Sequence, residues 1–469
     1  MRDTVADTPD TNAIETEFDT DDRLKPEFIK SVIHSVEAGD DDAARELAAR
    51  LHPADIADLF EQVGRDQRAV LAAALSELLD GEVLAEMNDF VREGLVDELD
   101  NEQVADLAGN LETDDAVAII EDMEADDQRE VLDALEPDDR AAIEEALTYP
   151  EESAGRVMQR ELVAVHENMT VGDVIDYLRA NQEDTMDFWE IFVVDTAHHP
   201  VGTCALSWIL RTPRHFAIAD VMKREQTLIP VDMDQEEVAL RFQKYGLISA
   251  AVVDDAGRLV GMITVDDIVD IISEEAGEDI LRLSGAGEGD INQPVGEAYS
   301  GRVRWLVANL GTALVASFVI SFFGAAIEEM VALAILMPIV ASIGGNAGTQ
   351  TMAVAVRALA INELTRANTW RTIRQELAVA ILNGATIAVL IGIGAALVFS
   401  NWALGGVIAA AMLVNIVIAG LAGVLVPVVL DRLKQDPAVA SSVFVTMITD
   451  SIGFLAFLGF AVASGLVGQ

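Results

Sequence analysis

The sequence predicts a multidomain chain: an all-α N-terminal solenoid, an α/β module built from two copies of one motif, a connecting helix, and a five-helix transmembrane domain. Three observations carry this. Charge and hydropathy are segregated: the chain is 51% hydrophobic yet has a net charge of −50, and from Gly301 onward it holds only 7 acids and 8 bases, leaving 73 acids and 22 bases in the first 300 residues. Short helical segments recur through the acidic part. Five long apolar runs fill the nearly neutral part.

The first residues, 1–25, read as a disordered acidic tail, because Met1 to Asp22 is polar and lacks the apolar core of a signal peptide. From 26 to 150 the pattern is helical. Leu51-His52-Pro53-Ala54-Asp55-Ile56 resembles Asn101-Glu102-Gln103-Val104 and Thr113-Asp114-Asp115-Ala116-Val117. Each begins with a capping residue or Pro and continues with apolar residues at helical spacing, so stacked short helices are expected. The acids here read mostly as solvated faces.

From 151 to 275 the texture changes. Val157-Met158 recurs 64 residues on as Val221-Met222, while Ile191-Phe192-Val193-Val194-Asp195 and Val201-Gly202 return after 59 residues as Ala250-Ala251-Val252-Val253-Asp254 and Val260-Gly261. These two copies resemble a pair of CBS motifs. The resemblance implies a pseudo-symmetric α/β module that senses a ligand, with ATP in the cleft between the repeats as a candidate. After Thr264 acids crowd one stretch, with Asp267, Asp270 and Glu274 near one helical face. That stretch reads either as a solvated helix of a salt-adapted protein or as a set of divalent-cation sites at an interface. A Gly-rich linker joins the soluble part to the membrane domain over 276–301, where a coupling element is expected.

The membrane domain, 302–469, contains apolar runs at about Val303–Phe323, Met330–Val356, Leu377–Phe399, Trp402–Leu430 and Val439–Val467. With five spans all eight bases fall on the side of the N-terminal domain, which predicts a cytoplasmic N-terminus and an extracellular C-terminus in the cell membrane. Asp450 is the one acid inside any of these runs. A carboxylate at that depth is costly unless it faces water, a partner or a cation. It therefore either faces an ion path or is a structural acid satisfied by neighbouring hydroxyls. In the second run, Gly344-Gly345-Asn346-Ala347-Gly348-Thr349-Gln350 places small and amide residues at mid-membrane. Either they pack helices closely, or the helix loosens there and freed carbonyls line a cation path.

Several functions are disfavoured. So acidic a chain suits no nucleic-acid partner, and its charge suggests a halophile, in which carboxylates keep the surface hydrated. The single Cys204 permits no internal disulfide. No His-Glu-x-x-His motif or acid–base pair lies in the spans, which argues against an enzyme.

Glu151-Glu152-Ser153-Ala154-Gly155-Arg156-Val157-Met158, Thr264-Val265-Asp266-Asp267, the Gly344–Gly348 segment, Arg357-Ala358-Leu359, and Asp436-Pro437-Ala438 leading to Asp450 occur in that order. In this order the chain resembles the MgtE family of magnesium channels and transporters over nearly its whole length. The resemblance implies a homodimer in the lipid bilayer with a pore between the subunits and a connecting plug helix within 276–301. It places magnesium at Asp450, with oxygens from Thr446, Gly344, Gly345 and Asn346, and puts Asp436 at the cytoplasmic mouth. It also implies a cytosolic magnesium sensor at Asp234, Glu236, Asp267, Glu275, Glu278 and Asp279, which closes the pore when occupied. Asp106 is an N-domain candidate only. Two departures stand out: Thr349 replaces an Asn of the family's glycine motif, and no acid occurs near Gly246.

Magnesium chemistry suits these residues. The ion is hard, holds its waters at about 2.1 Å and favours oxygen ligands, and the spans contain no Cys or His for softer metals. A coupled secondary divalent-cation transporter, or a CBS-regulated membrane receptor without transport, are the alternatives.

Overall fold

The computed structural model describes residues 17–21, 23–121, 123–181, 188–285, 289 and 291–467. The expected tail at 1–25 lies largely outside these residues. Within them, Phe18 pairs with Leu24, and Glu17 and Leu24 are buried, so ordered chain precedes Pro26. Two compact units divide after Ser273.

The first unit opens with short helices from Pro26–Glu37 to Pro137–Ala146. Their starts follow the capping residues read from sequence. Asp40, Asp80 and Asn88 side chains accept from backbone amides of the first turn, and His52 and Asp100 form capping boxes. One apolar face of each helix joins a continuous core that includes Leu59, Phe60, Leu71, Leu84, Val104 and Ile120.

Two three-stranded sheets follow, β1 (Ala164–His166), β2 (Glu190–Val194) and β3 (Pro200–Ala205), then β4 (Leu228–Pro230), β5 (Ser249–Val253) and β6 (Leu259–Thr264). In each, the first pair is parallel and the second antiparallel, with a bulge at Val193/Val194 and at Val252/Val253. The repeated dipeptides explain each other across the pseudo-dyad. A Cβ on Gly261 would stand 2.7 Å from the Gln159 carbonyl and from Met158 Sδ, and one on Gly202 would stand 2.7 Å from the Lys223 carbonyl and 2.9 Å from Met222 Sδ. Val-Met of one repeat thus passes over Val-Gly of the other. Gly246 ends the helix Gln235–Tyr245 with φ +61°, a left-handed position that suits Gly and strains an acidic side chain there.

The expected linker and plug over 276–301 take another form. One helix, Val265–Ser284, continues from the last strand without interruption and stops at Gly285, φ +70°. Its acids alternate with good helix formers, and Gly277 is carried mid-helix, so the helix runs on until Gly285, where φ turns positive. The first span starts at Val295 rather than near 303, taking Arg302 and Arg304 into its first turns, where long basic side chains reach an interface.

Among the described residues five helices are long and apolar enough to cross a membrane. The second to fourth are Val331–Ala360, Thr369–Val398 and Trp402–Arg432, and the fifth is Pro437–Ala463. Small residues set their approach. A Cβ on Gly405 would meet the Gly392 carbonyl, and one on Gly423 would meet the Gly348 carbonyl, each under 3.0 Å. The second span is one unbroken helix through Gly344 and Gly345. The expected loosening, with freed carbonyls lining a path, is therefore absent from this conformation. Asn415 of the fourth span supports that turn by donating to the Val340 carbonyl at 3.0 Å.

Candidate cation sites

Asp450 sits mid-helix in the fifth span, half-buried, about 20 Å along the axis from Pro437. Among the described residues its carboxylate has no hydrogen bond and no ion pair. The hydroxyls that could have satisfied it point elsewhere. Thr449 donates to the Thr446 carbonyl at 3.1 Å, and Ser451 Oγ is buried without a partner. The Thr446 side chain is exposed, as is Asn346 on the second span. Thr349, the departure in the glycine motif, donates to the Gly345 carbonyl at 3.0 Å. Gly344 is buried against Asn415, so neither glycine carbonyl is offered by a broken helix in this state.

Asp436 caps the fifth span by accepting from Ala438 N at 2.7 Å. Its other oxygen accepts from Arg282 Nη1 at 3.0 Å, and Arg282 also pairs with Glu278. Asp279 stands beside them, and burial, Asp436 and Glu275 raise its pKa while Arg282 opposes them. The structure thus brings together Glu275, Glu278, Asp279 and Asp436 around one arginine. Sequence reading named the acids but not Arg282, because the pairing joins residues 154 apart.

In the first unit Asp267 gathers a different set. It accepts from Thr264 N at 3.1 Å and Thr264 Oγ1 at 2.7 Å, which fixes it at the start of its helix. Facing it are Glu112, Asp114 and Asp115, from the start of the helix Thr113–Ile120. Gln159 donates to both Glu112 and Asp267. Asp114 is half-buried, and its Oδ1 is itself buried and unpartnered. Burial, then Asp267, raises Glu112 from 4.5 to about 7 and Asp115 from 3.8 to about 6, and raises Asp114 well above the ordinary carboxylate range. Burial raises Asp267 as well. The helical repeat had suggested solvated faces here. Asp114 and Asp115 are instead covered, because the CBS region packs over them. Asp234 is exposed and caps Gln235–Tyr245 by accepting from Glu236 N at 3.0 Å, while Ser153 pairs with its backbone.

Among the described residues no three Asp, Glu, His or Cys side chains converge closely enough to cage a metal directly. The acid clusters instead suit an ion that keeps part of its water shell and is held through it. The orphaned Asp114 oxygen and the crowded negative charge are what such an ion would satisfy.

A pH dependence follows. Glu112 and Asp115 have folded pKa values above their unfolded ones, so the folded unit binds more protons between about pH 4 and 7. Metal-free stability at Thr113–Ile120 is therefore greatest at the acid end and falls as pH rises through 7. Protection factors of that helix in the full chain, with the intrinsic base-catalysed exchange rate divided out, are expected to fall over this window, and millimolar magnesium is expected to restore them at pH 8. Protection factors that are flat with pH would contradict the burial of these acids.

Comparisons with known proteins agree with this layout. A family model described as a divalent cation transporter matches residues 337–460, an MgtE intracellular N domain model matches 51–152, and a CBS domain model matches 154–206 and 218–274. The chain is 34% identical over 316 residues to a protein named magnesium transporter MgtE from Enterococcus faecalis, covering 67% of this chain and 70% of that one. It is 32% identical over 320 residues to the protein of that name from Bacillus subtilis, covering 68% and 70%. A solved structure of the cytosolic domain of the Mg2+ channel MgtE in complex with ATP aligns with TM-score 0.48 and 30% identity, covering 52% of this chain and 99% of that one.

Proposed function

Because the chain belongs to the MgtE family of magnesium transporters, multi-pass membrane proteins with a CBS pair, we propose that Asp450 is the point at which magnesium crosses its membrane domain. The observation that carries this reading is a half-buried carboxylate at mid-span with no protein partner among the described residues. Such a group is costly in a membrane unless a cation or water compensates it. One carboxylate is too little for a divalent ion, and a homodimer would supply two across its axis. Two close carboxylates in a dry pore would not both stay ionised without the ion, so the ion itself would stabilise their charged form. Thr446 and Asn346, both exposed on their helices, would add oxygens to a hydrated ion.

We propose further that cytosolic magnesium gates this path. The Asp267 cluster in the first unit and the Asp279–Asp436 cluster in the second each crowd acids that a divalent ion would bridge. The ion favours the bridged form by its differential affinity for that form. The soluble part is then cytoplasmic, as the distribution of bases predicts. ATP in the CBS cleft is part of the same proposal, and an ATP titration of the full chain tests it.

Arg282 acts in the second cluster as a tethered counter-cation. Its pair with Asp436 is about one-third exposed on each side, so it is worth about 0.2–1 kcal/mol. In Arg282→Gln the acids lose the cation that competes with magnesium for them, so the magnesium concentration that half-closes the channel is expected to fall about two- to fivefold. Liposome flux against magnesium on the soluble-domain side measures this, and an unchanged midpoint would remove Arg282 from gating.

A further inference from the structure

The third span begins at Thr369, so Glu376 lies inside it, about 10 Å from its start. Sequence reading began that run at Leu377 and left this carboxylate outside. Glu376 lines a cavity of about 210 Å³ between the second, third and fourth spans, together with Gln350, Thr351 and Asn383, with Ala380 and Gly420 forming small-residue walls. No residue of the fifth span lines it, so it is separate from Asp450. Thr351 Oγ1 donates to Glu376 Oε2 at 3.3 Å. Among the described residues Glu376 is in no ion pair, and no Lys or Arg lines the cavity.

We propose that this cavity is a second cation pocket in each chain, taking a hydrated divalent cation. It offers one negative charge surrounded by neutral oxygens from two amides and a hydroxyl, and it lacks the several carboxylates that would strip an ion of its water. A carboxylate has room for about four hydrogen bonds and one is used here. Six waters occupy about 180 Å³ at liquid density, so a hexahydrated ion fits the volume. Magnesium sheds that shell reluctantly and is held well through it. Gln350 and Thr351 belong to the helix that carries Gly344, Gly345 and Asn346. Occupancy would brace the second span against the third without placing the ion on the path through Asp450. The pocket does not depend on the transport reading, because binding is measured without flux.

The test uses the full chain with Cys204→Ala and Val379→Cys, a lining position that offers the ion no oxygen, purified in lipid-free detergent and treated with the neutral reagent methyl methanethiosulfonate. With magnesium at ten times its dissociation constant, modification is expected to slow about tenfold, and adding Glu376→Gln is expected to abolish the protection. Three results would overturn the proposal: no protection by magnesium, protection that persists in Glu376→Gln, or protection by ethanolamine and not by magnesium, which would mark a lipid-amine site. Should the cysteine chain fail to purify, anomalous scattering from manganese-soaked crystals of the natural chain decides. A peak in the cavity supports the pocket and its absence overturns it.

Discussion

Liposomes carrying Asp450→Ala are expected to take up magnesium at least about a hundredfold more slowly than those carrying the natural chain. A unit charge pair at about 4 Å is worth about 4 kcal/mol at an effective dielectric of 20, and a divalent ion doubles it. Since each 1.4 kcal/mol is tenfold, losing the carboxylate removes more than the stated factor even after water substitutes in part. Asp450→Asn keeps the shape and removes the charge, so it is expected to fall nearly as far. Normal flux in both chains would make Asp450 a structural acid and move the path to the face around Asn346.

The second large effect concerns the glycine pair. Gly344→Ala is expected to lower membrane-domain stability by about 1–3 kcal/mol, the range for overpacking a filled site, whereas Gly345→Ala is expected to change it little. A Cβ on Gly344 collides with the Asn415 amide, while one on Gly345 meets nothing within 4 Å. Asn415 is fully buried and is also wedged against Gly453, where a Cβ would stand 2.7 Å from its Nδ2. It cannot step aside without giving up its bond to Val340. Thermal unfolding of the two purified variants measures the difference. Equal melting temperatures would show that Asn415 is not held as described.

The contrast between these neighbouring glycines marks where sequence reading stops. Gly344-Gly345-Asn346 was legible as close packing in a span, because small residues at mid-membrane have few other uses. Which glycine carries the contact depends on where Asn415 arrives from the fourth span, and helical spacing within the second span does not contain that. The five spans were legible because uninterrupted apolar runs need no partner to be recognised. The starts of the first and third were not: Arg302, Arg304 and Glu376 interrupt the hydropathy while the helix continues through them. The CBS repeat was legible from Val-Met and Val-Gly, and the structure adds the reason, one dipeptide crossing the other. The acids were the least legible. Asp267 was singled out by its crowded neighbours in sequence, whereas Glu112, Asp114 and Asp115 passed as a solvated helix start. An acid's burial is decided by what packs over it, here Gln159, 47 positions along the chain, and Asp267 farther on.

We propose that this chain conducts magnesium and that magnesium on the soluble-domain side shuts it. The most direct measurement is magnesium flux through the natural chain in oriented liposomes, with magnesium varied on the soluble-domain side only, in molar potassium. At that salt the Debye length is about 3 Å, so bulk screening cannot stand in for ion binding. Flux is expected to need no proton or sodium gradient and to fall steeply as magnesium rises on that side. Flux that requires such a gradient, or that potassium alone shuts as completely, would contradict it.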